Sequence, residues 1–387
     1  MLTPPEPIES GPWMLDQQIV YLNHGSFGAR TQQVHDSQQG FKQLFERSPI
    51  QFLDRSRDDL ICEARDVVSS FLHCDSSGFG FVDNATTGVG CVVQSMEFTP
   101  NDEILTTNHV YNGVRQLLTH HAQRTGCSYR ELEIPLPVRD SYEILSTIVA
   151  SFTSETKLLV VDHVTSITSI VFPIDEIIKQ CHKRDIFVLV DGAHAPGMLD
   201  LHIDSLHADW YVGNLHKWVC APVGAGFVWT HEKHRDHTHP LTVSHFLNTN
   251  YTREFDWQGT KDISPWLAAA TAIQIGESIG WDRIREHNHK LAMWMHQELL
   301  EGLSLEPIVP IDGSLTGSMA TVLLPNGFPI NYEDCDQLRD QIFTEFKIEV
   351  PILLYENRCL LRVSAQLYTK SSDIGQLIDV LRDVRPL

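Results

Sequence analysis

Ile186-Phe187-Val188-Leu189-Val190-Asp191-Gly192-Ala193-His194-Ala195-Pro196-Gly197 holds the pattern on which the fold turns. Five apolar residues in a row, without polar alternation, predict a strand covered on both faces. The run then breaks at an aspartate followed by Gly and Pro. An acid at the end of a buried strand is costly unless it meets a positive partner. Its ordinary alternative is a turn or helix-capping role.

Moving outward, Lys157-Leu158-Leu159-Val160-Val161 is a second continuous run, and Phe79-Gly80-Phe81-Val82 and Glu103-Ile104-Leu105-Thr106 are shorter ones. Helix-period stretches lie between them. The clearest, Leu53 to Leu72, sets Ile61, Ala64, Val68 and Phe71 on one face. Strand–helix–strand alternation predicts an α/β fold with a mainly parallel sheet and helices on both sides. Ligands of such sheets bind beyond the carboxyl ends of the strands. A shift toward His, Thr, Asn and aromatics at Asp236 to Gly259 closes this part. After it, Ser264 to Ile279 and Trp281 to Leu303 read as helices. Strands near Met319–Leu324 and Leu360–Val363 and a final helix near Asp373–Val384 predict a smaller α+β unit. The expected division is a large unit over residues 20–255 and a small one over 256–387 together with 1–19.

The chain of 387 residues, 42% hydrophobic and 20% charged, is long enough for two or three domains at ~100–200 residues each. A formal net charge of -21 opposes phosphate backbones and acidic headgroups, so neither nucleic acid nor a membrane is an expected partner. A phosphate-bearing ligand would need a local pocket. No run approaches the ~18 apolar residues that span a bilayer. Met1 to Ser10 has no apolar signal-peptide core, and a cytoplasmic location is expected. The eight cysteines, without a C-x-x-C pair, are expected as reduced, buried thiols. His231, His234, His237 and His239 lack the spacing of a zinc site, so no metal is expected.

Downstream of Asp191 lies Gly213-Asn214-Leu215-His216-Lys217-Trp218, which sets Lys217 in a small, apolar context. Taken singly, Lys217 would be a surface lysine. Together, a carboxylate able to face a pyridinium nitrogen and a lysine able to form an imine are the minimum apparatus of pyridoxal phosphate chemistry. The aspartate keeps the ring nitrogen protonated. The lysine anchors the aldehyde and later acts as a base beside Cα. Burial and a neighbouring cation would free its amine of a proton near neutral pH. Asp83-Asn84-Ala85-Thr86-Thr87-Gly88-Val89 follows a strand and opens a helix, so its hydroxyls and N–H groups suit a phosphate, although a capping threonine alone would look the same.

D-G-A-H-A-P-G with H-K-W and an upstream N-A-T-T-G resembles the class V aminotransferase family. Tyr21-Leu22-Asn23-His24-Gly25-Ser26-Phe27-Gly28, Asp162-His163-Val164-Thr165-Ser166, Trp257-Gln258-Gly259-Thr260-Lys261-Asp262 and Leu361-Arg362-Val363-Ser364-Ala365-Gln366-Leu367-Tyr368 resemble its isopenicillin N epimerase-like branch. The resemblance runs from about Tyr21 to Tyr368. It implies the aspartate aminotransferase-like fold, with a mainly parallel seven-stranded sheet in the large domain and a smaller α+β C-terminal domain. It further implies pyridoxal 5'-phosphate on Lys217, with Asp191 at the ring nitrogen and His194 and Thr165 near the ring hydroxyl. His109, or alternatively Tyr111, would cover the ring face. Thr86, Thr87, Asn214 and His216 would hold the phosphate, and Asp162 and Gly259 join the cofactor set through their motifs. Thr260 would reach the phosphate of a neighbouring subunit, which implies a homodimer. Arg362 would bind the carboxylate of an amino-acid substrate, with Asn23 and His24 lining the pocket.

Racemisation, transamination and β-elimination all begin with loss of the Cα proton, and motifs do not separate them. The branch implies an amino-acid epimerase. The alternatives are an aminotransferase or a C–S lyase on a cysteine derivative, hercynylcysteine sulfoxide lyase-like or cysteine desulfurase-like. Cys335 follows two acids, which should raise its thiol pKa, and Cys359 falls near a strand. Neither resembles the mobile loop cysteine of persulfide-forming enzymes.

Overall fold

In a computed structural model, which describes residues 2–384, the parallel sheet contains seven strands: β1 (Phe79–Val82), β2 (Glu103–Thr107), β3 (Ser128–Leu132), β4 (Thr156–Asp162), β5 (Phe187–Gly192), β6 (Trp210–Asn214) and β7 (Gly226–Thr230). Their order is β1-β7-β6-β5-β4-β2-β3. β2 to β6 pair in parallel, and β7 runs antiparallel to both its neighbours, β6 and β1. The helices that position the site are α1 (Gln32–Arg47), α2 (Arg57–Leu72), α3 (Ala85–Ser95), α4 (Asn112–Thr125), α5 (Ile174–His182), α6 (Ser264–Ile279) and α7 (Trp281–Leu303).

The continuous apolar strands are buried on both sides because each face meets its own helix layer. Leu158, Val160, Leu189 and Val212 pack with Val89 and Val92 of α3 and with Val114 and Leu118 of α4. Leu159, Val161, Val188 and Val190 pack on the other face with Ile61 and Val68 of α2, Ile177 of α5 and Ile273 of α6. Side chains alternate along a strand. The face covered by α3 therefore ends, on three successive strands, in Asp162, Asp191 and Asn214. Asp162 and Asp191 are register partners. β6 and β7 lie outside the runs that the sequence singles out, because Gly and Asn at their ends read as loop.

The smaller unit has a three-stranded antiparallel sheet of β8 (Met319–Leu323), β9 (Ile352–Tyr355) and β10 (Arg358–Ser364), in the order β9-β10-β8. Helix α7 covers it with two further helices, Tyr332–Phe346 and Ser371–Asp383. Val20–Tyr21 pairs with Ile348–Glu349, and Leu22 joins this second core. α6 instead supplies Trp266, Leu267 and Ile273 to the first core. On these packing grounds we place the division at Gly280, between α6 and α7, rather than at 255. No helix among the described residues is long and apolar enough to cross a membrane.

Gly28 ties the N-terminal segment to the loop that carries Lys217. Its φ is +75°, and a Cβ there would fall 1.9 Å from the carbonyl oxygen of His216. Both contacting groups are backbone, so neither can swing aside. Gly28→Ala is expected to destabilise the protein by roughly 2–4 kcal/mol, read as a lower urea midpoint at unchanged slope. An unchanged midpoint would mean that the two loops are free to part.

Candidate active site

Asp191 ends β5 and is 3% exposed; its Oδ1 accepts the N–H of Ala193 at 3.0 Å. Burial raises its pKa, and the Ala193 N–H and the charge of Lys217 offset that rise only in part. Asp162 ends β4 at the same 3% exposure, and its Oδ2 has no partner among the described residues. Burial, then the charge of Asp191, holds its pKa well above the carboxylate range. Asn214 ends β6 and its side-chain oxygen accepts from the N–H of Ala85 at 2.8 Å. It thereby fixes the first turn of α3 to the sheet. Asn84 caps that helix by accepting from Thr87 N at 2.9 Å. Thr86 and Thr87 are both half-buried in this first turn.

Lys217 stands in the loop after β6 with its Nζ 3.0 Å from Nε2 of His194. The indole N–H of Trp218 reaches Nδ1 of His194 at 3.4 Å. An indole can only donate, so these partners assign Nδ1 as acceptor and leave the ring proton on Nε2, facing the lysine nitrogen. That arrangement suits a neutral amine. Burial and the cation of Arg362 bring the Lys217 pKa down to about 7, against the pull of Asp191 and Asp162. Burial, then Lys217 and Arg362, hold His194 neutral. His216 is also neutral, lowered to about 4 by burial and Lys217, with Nδ1 3.4 Å from the carbonyl of Ala225.

Arg362 comes from β10 of the smaller unit and is 3% exposed. It donates to the carbonyl of Ser166 at 2.5 Å and to the hydroxyl of Ser26 at 3.0 Å. Its Nε is buried without a partner among the described residues. Burial lowers its pKa to about 10, which leaves it a cation at neutral pH. A buried guanidinium held by a carbonyl and a hydroxyl still lacks an anion.

Other expected residues are placed differently. His24 is fully buried between the Tyr368 hydroxyl and the carbonyl of Lys217, each at 3.0 Å. It braces the lysine loop from behind. Asn23 uses its amide on Glu349, at 2.9 Å, and on Ser26. His109 is fully buried, with Nδ1 on Thr168 at 2.7 Å and Nε2 on the carbonyl of Ile134 at 2.9 Å. Thr168 in turn reaches Thr165 at 2.8 Å. Tyr111, the other candidate for the ring face, is 48% exposed at the start of α4. Gly259 is half-buried and Thr260 is exposed, in a segment fastened by an ion pair of Lys261 with Asp83. Ser26, Ser166 and Trp218 lie inside the quoted motifs but only the fold reveals their contacts. Tyr368 also lies in a quoted motif, and Thr168 joins them from outside the motifs.

The cysteines lend no nucleophile. Burial pushes Cys220, near His24, up to about 12. Cys335 and Cys359 are buried in the smaller unit, and their thiols are raised chiefly by that burial.

Two buried carboxylates, a lysine brought near neutrality, an anion-ready helix start and an uncompensated arginine fit a phosphorylated aldehyde cofactor and a carboxylate substrate. With the mainly parallel seven-stranded sheet, they define a fold type I pyridoxal phosphate enzyme. Residues 32–329 match the family model Aminotransferase class-V, and the chain belongs to that family. It is 30% identical over 388 residues to isopenicillin N epimerase of Amycolatopsis lactamdurans, covering 96% of each chain. It is 28% identical to a probable chloroplastic L-cysteine desulfhydrase of Arabidopsis thaliana, over 95% of this chain and 83% of that one. The solved structure of the cystine C-S lyase C-DES with cysteine persulfide superposes with a TM-score of 0.80 at 19% identity, over 96% of this chain and 99% of that one. At that identity the likeness establishes the shared fold.

Pyridoxal phosphate added to cofactor-free protein should therefore form its lysine imine faster as the pH climbs through about 7, since only the neutral amine attacks. Stopped-flow absorbance checks this. A midpoint near the ordinary lysine value of about 10.4 would show that Lys217 is an unperturbed amine.

Proposed function

We propose that this chain is a pyridoxal-phosphate enzyme that moves the proton at the α-carbon of an amino acid, as an isopenicillin N epimerase-like epimerase acting in the cytoplasm. The observation that carries it is Lys217, with Nζ 3.0 Å from His194 and its pKa lowered to about 7 by burial and the cation of Arg362 against the pull of Asp191 and Asp162. When bound, the cofactor supplies an aldehyde for the amino group and a ring that takes up electron density from Cα.

Each residue has a part in that chemistry. Asp191 holds a proton on the ring nitrogen by its charge, and Asp162 stands beside it. His194 and Thr165 orient the ring hydroxyl. Thr86, Thr87, Asn214 and His216 hold the phosphate at the start of α3, where N–H groups and the helix dipole favour an anion. His109, or alternatively Tyr111, covers the ring face; hydrogen bonds at both ring nitrogens fix the His109 ring and link it through Thr168 to Thr165. Gly259 presents Thr260 to the phosphate of a second copy in a homodimer. Arg362 takes the substrate carboxylate, which supplies the missing anion. Asn23 and His24 shape the pocket by fixing Ser26 and the Lys217 loop. Lys217 would take the Cα proton from one face, and an epimerase needs a second acid–base group to deliver a proton to the opposite face.

A second activity, C–S bond cleavage of a cysteine derivative, draws support from the similarity to an L-cysteine desulfhydrase over 95% of this chain. It uses the same first proton transfer and differs in passing that proton to a leaving sulfur. The high thiol pKa of Cys220 favours direct elimination over an enzyme-bound persulfide.

Incubating the yellow holoenzyme with amino acids in D2O separates the two. Deuterium at Cα together with the opposite enantiomer supports the epimerase. Sulfide and pyruvate from cysteine support the lyase. Amino acids recovered with neither change would overturn both. Lys217→Ala is expected to lose the borohydride-reducible imine and at least ~10²–10⁴-fold in turnover; a retained imine would move the anchor elsewhere. Arg362→Ala should raise KM for a carboxylate substrate, at a loss of roughly 2–5 kcal/mol. An unaffected KM would move the carboxylate site.

A further inference from the structure

We propose that Asp162 and Asp191 act as a carboxyl pair sharing one proton, with the proton held on Asp162 and the charge on Asp191. The consequence of the pair for catalysis rests on the function proposed above, whereas its existence rests on the packing of two strands.

Asp162 and Asp191 are register partners across the parallel strands β4 and β5, which run about 4.8 Å apart. Partnered residues point to the same face, so both carboxyls emerge side by side under the start of α3. Each is 3% exposed, and neither makes a salt bridge among the described residues. Two bare negative charges at that spacing, out of water and unpaired, cannot both persist.

The geometry also breaks the symmetry between them. Asp191 accepts a backbone N–H from Ala193 at 3.0 Å, which stabilises its charged form. Asp162 has a buried Oδ2 with no donor, which disfavours charge. The surrounding groups agree in direction. Lys217 faces both from the loop after β6. Arg115 of α4 also acts on Asp162, but it is already engaged by Glu131 of β3 at 2.8 Å. Tyr211 of β6 is pushed up by burial and by Asp191, so it stays neutral. His163, next to Asp162, points to the opposite face, where it meets the Tyr211 hydroxyl at 2.8 Å and is lowered to about 4 by burial. Arg362 on β10 acts on Lys217 and opposes its protonation.

The result is one negative charge beside the ring nitrogen. A doubly charged pair would draw a proton back onto Lys217 and spoil it as a base. An uncharged pair would leave the ring nitrogen without its anion. Asp162 is thus a positioning residue that sets the charge count. Asparagine imitates a neutral acid, so Asp162→Asn should be tolerated where Asp191→Asn is not.

The test labels aspartate carboxyls with ¹³C and reads the protonated-carboxyl infrared band and the ¹³C shifts across pH. Wild type, Asp162→Asn and Asp191→Asn are compared, with and without cofactor. The expected result is one protonated-carboxyl signal in wild type at neutral pH that disappears in Asp162→Asn. Holo Asp162→Asn should also keep the wild-type pH midpoint of its visible absorbance, whereas holo Asp191→Asn should shift it. A signal that survives in Asp162→Asn, or ordinary carboxylate titration of both residues in wild type, would overturn the pair. Equal shifts of that midpoint in the two variants would overturn the assignment of the proton to Asp162. If wild type forms no lysine imine, the proposed function fails, while the infrared signal of cofactor-free protein still decides the pair.

Discussion

Burial of charge at the carboxyl edge of one sheet is the constraint from which the rest of this structure follows. Asp162, Asp191 and Arg362 are each 3% exposed, and all three act on the charge of Lys217. In water these four groups would be two anions and two cations of ordinary strength. Inside, each charge must be justified by its neighbours. Lys217 yields first, because burial, and then the cation of Arg362, disfavour its ammonium and its amine can let go of a proton. Arg362 does not yield, and is left as a cation waiting for an anion.

Holding that arrangement requires several distant segments at once. The lysine loop is braced from behind by His24 and crossed closely by Gly28. Arg362 reaches across from the smaller unit to Ser26 and Ser166 of two other loops. A further link runs from Tyr355 in β9 to His109 at 3.2 Å, and on through Thr168 to Thr165. The site therefore sits where the two cores meet. Arg362 of one unit is thereby held in register with the loops of the other.

This division of labour suits a family with several chemistries. On the proposed function, the carboxylates, the lysine and the helix start would serve what is common to the reactions, namely the removal of a Cα proton. Relatives named as an epimerase and as a desulfhydrase are similar to this chain at 30% and 28% identity.

The sequence alone determined the strand that carries Asp191, because a short continuous apolar run closed by Asp, Gly and Pro reads as a buried strand and its polar end stands out. Lys217 was legible only beside that aspartate, and Thr86 and Arg362 only through motifs that resemble the family. The assignment of α6 and α7 to different cores was not legible, since both read as helices and only packing separates them. The fates of His24 and His109 were equally hidden. A histidine in a motif looks the same whether its ring nitrogens face a ligand or are used up by a carbonyl and a hydroxyl. Strand register is likewise absent from a linear pattern. Only the tertiary structure set Asp162 beside Asp191, because pairing between strands that are 29 positions apart in register is decided by how the sheet closes and not by either strand.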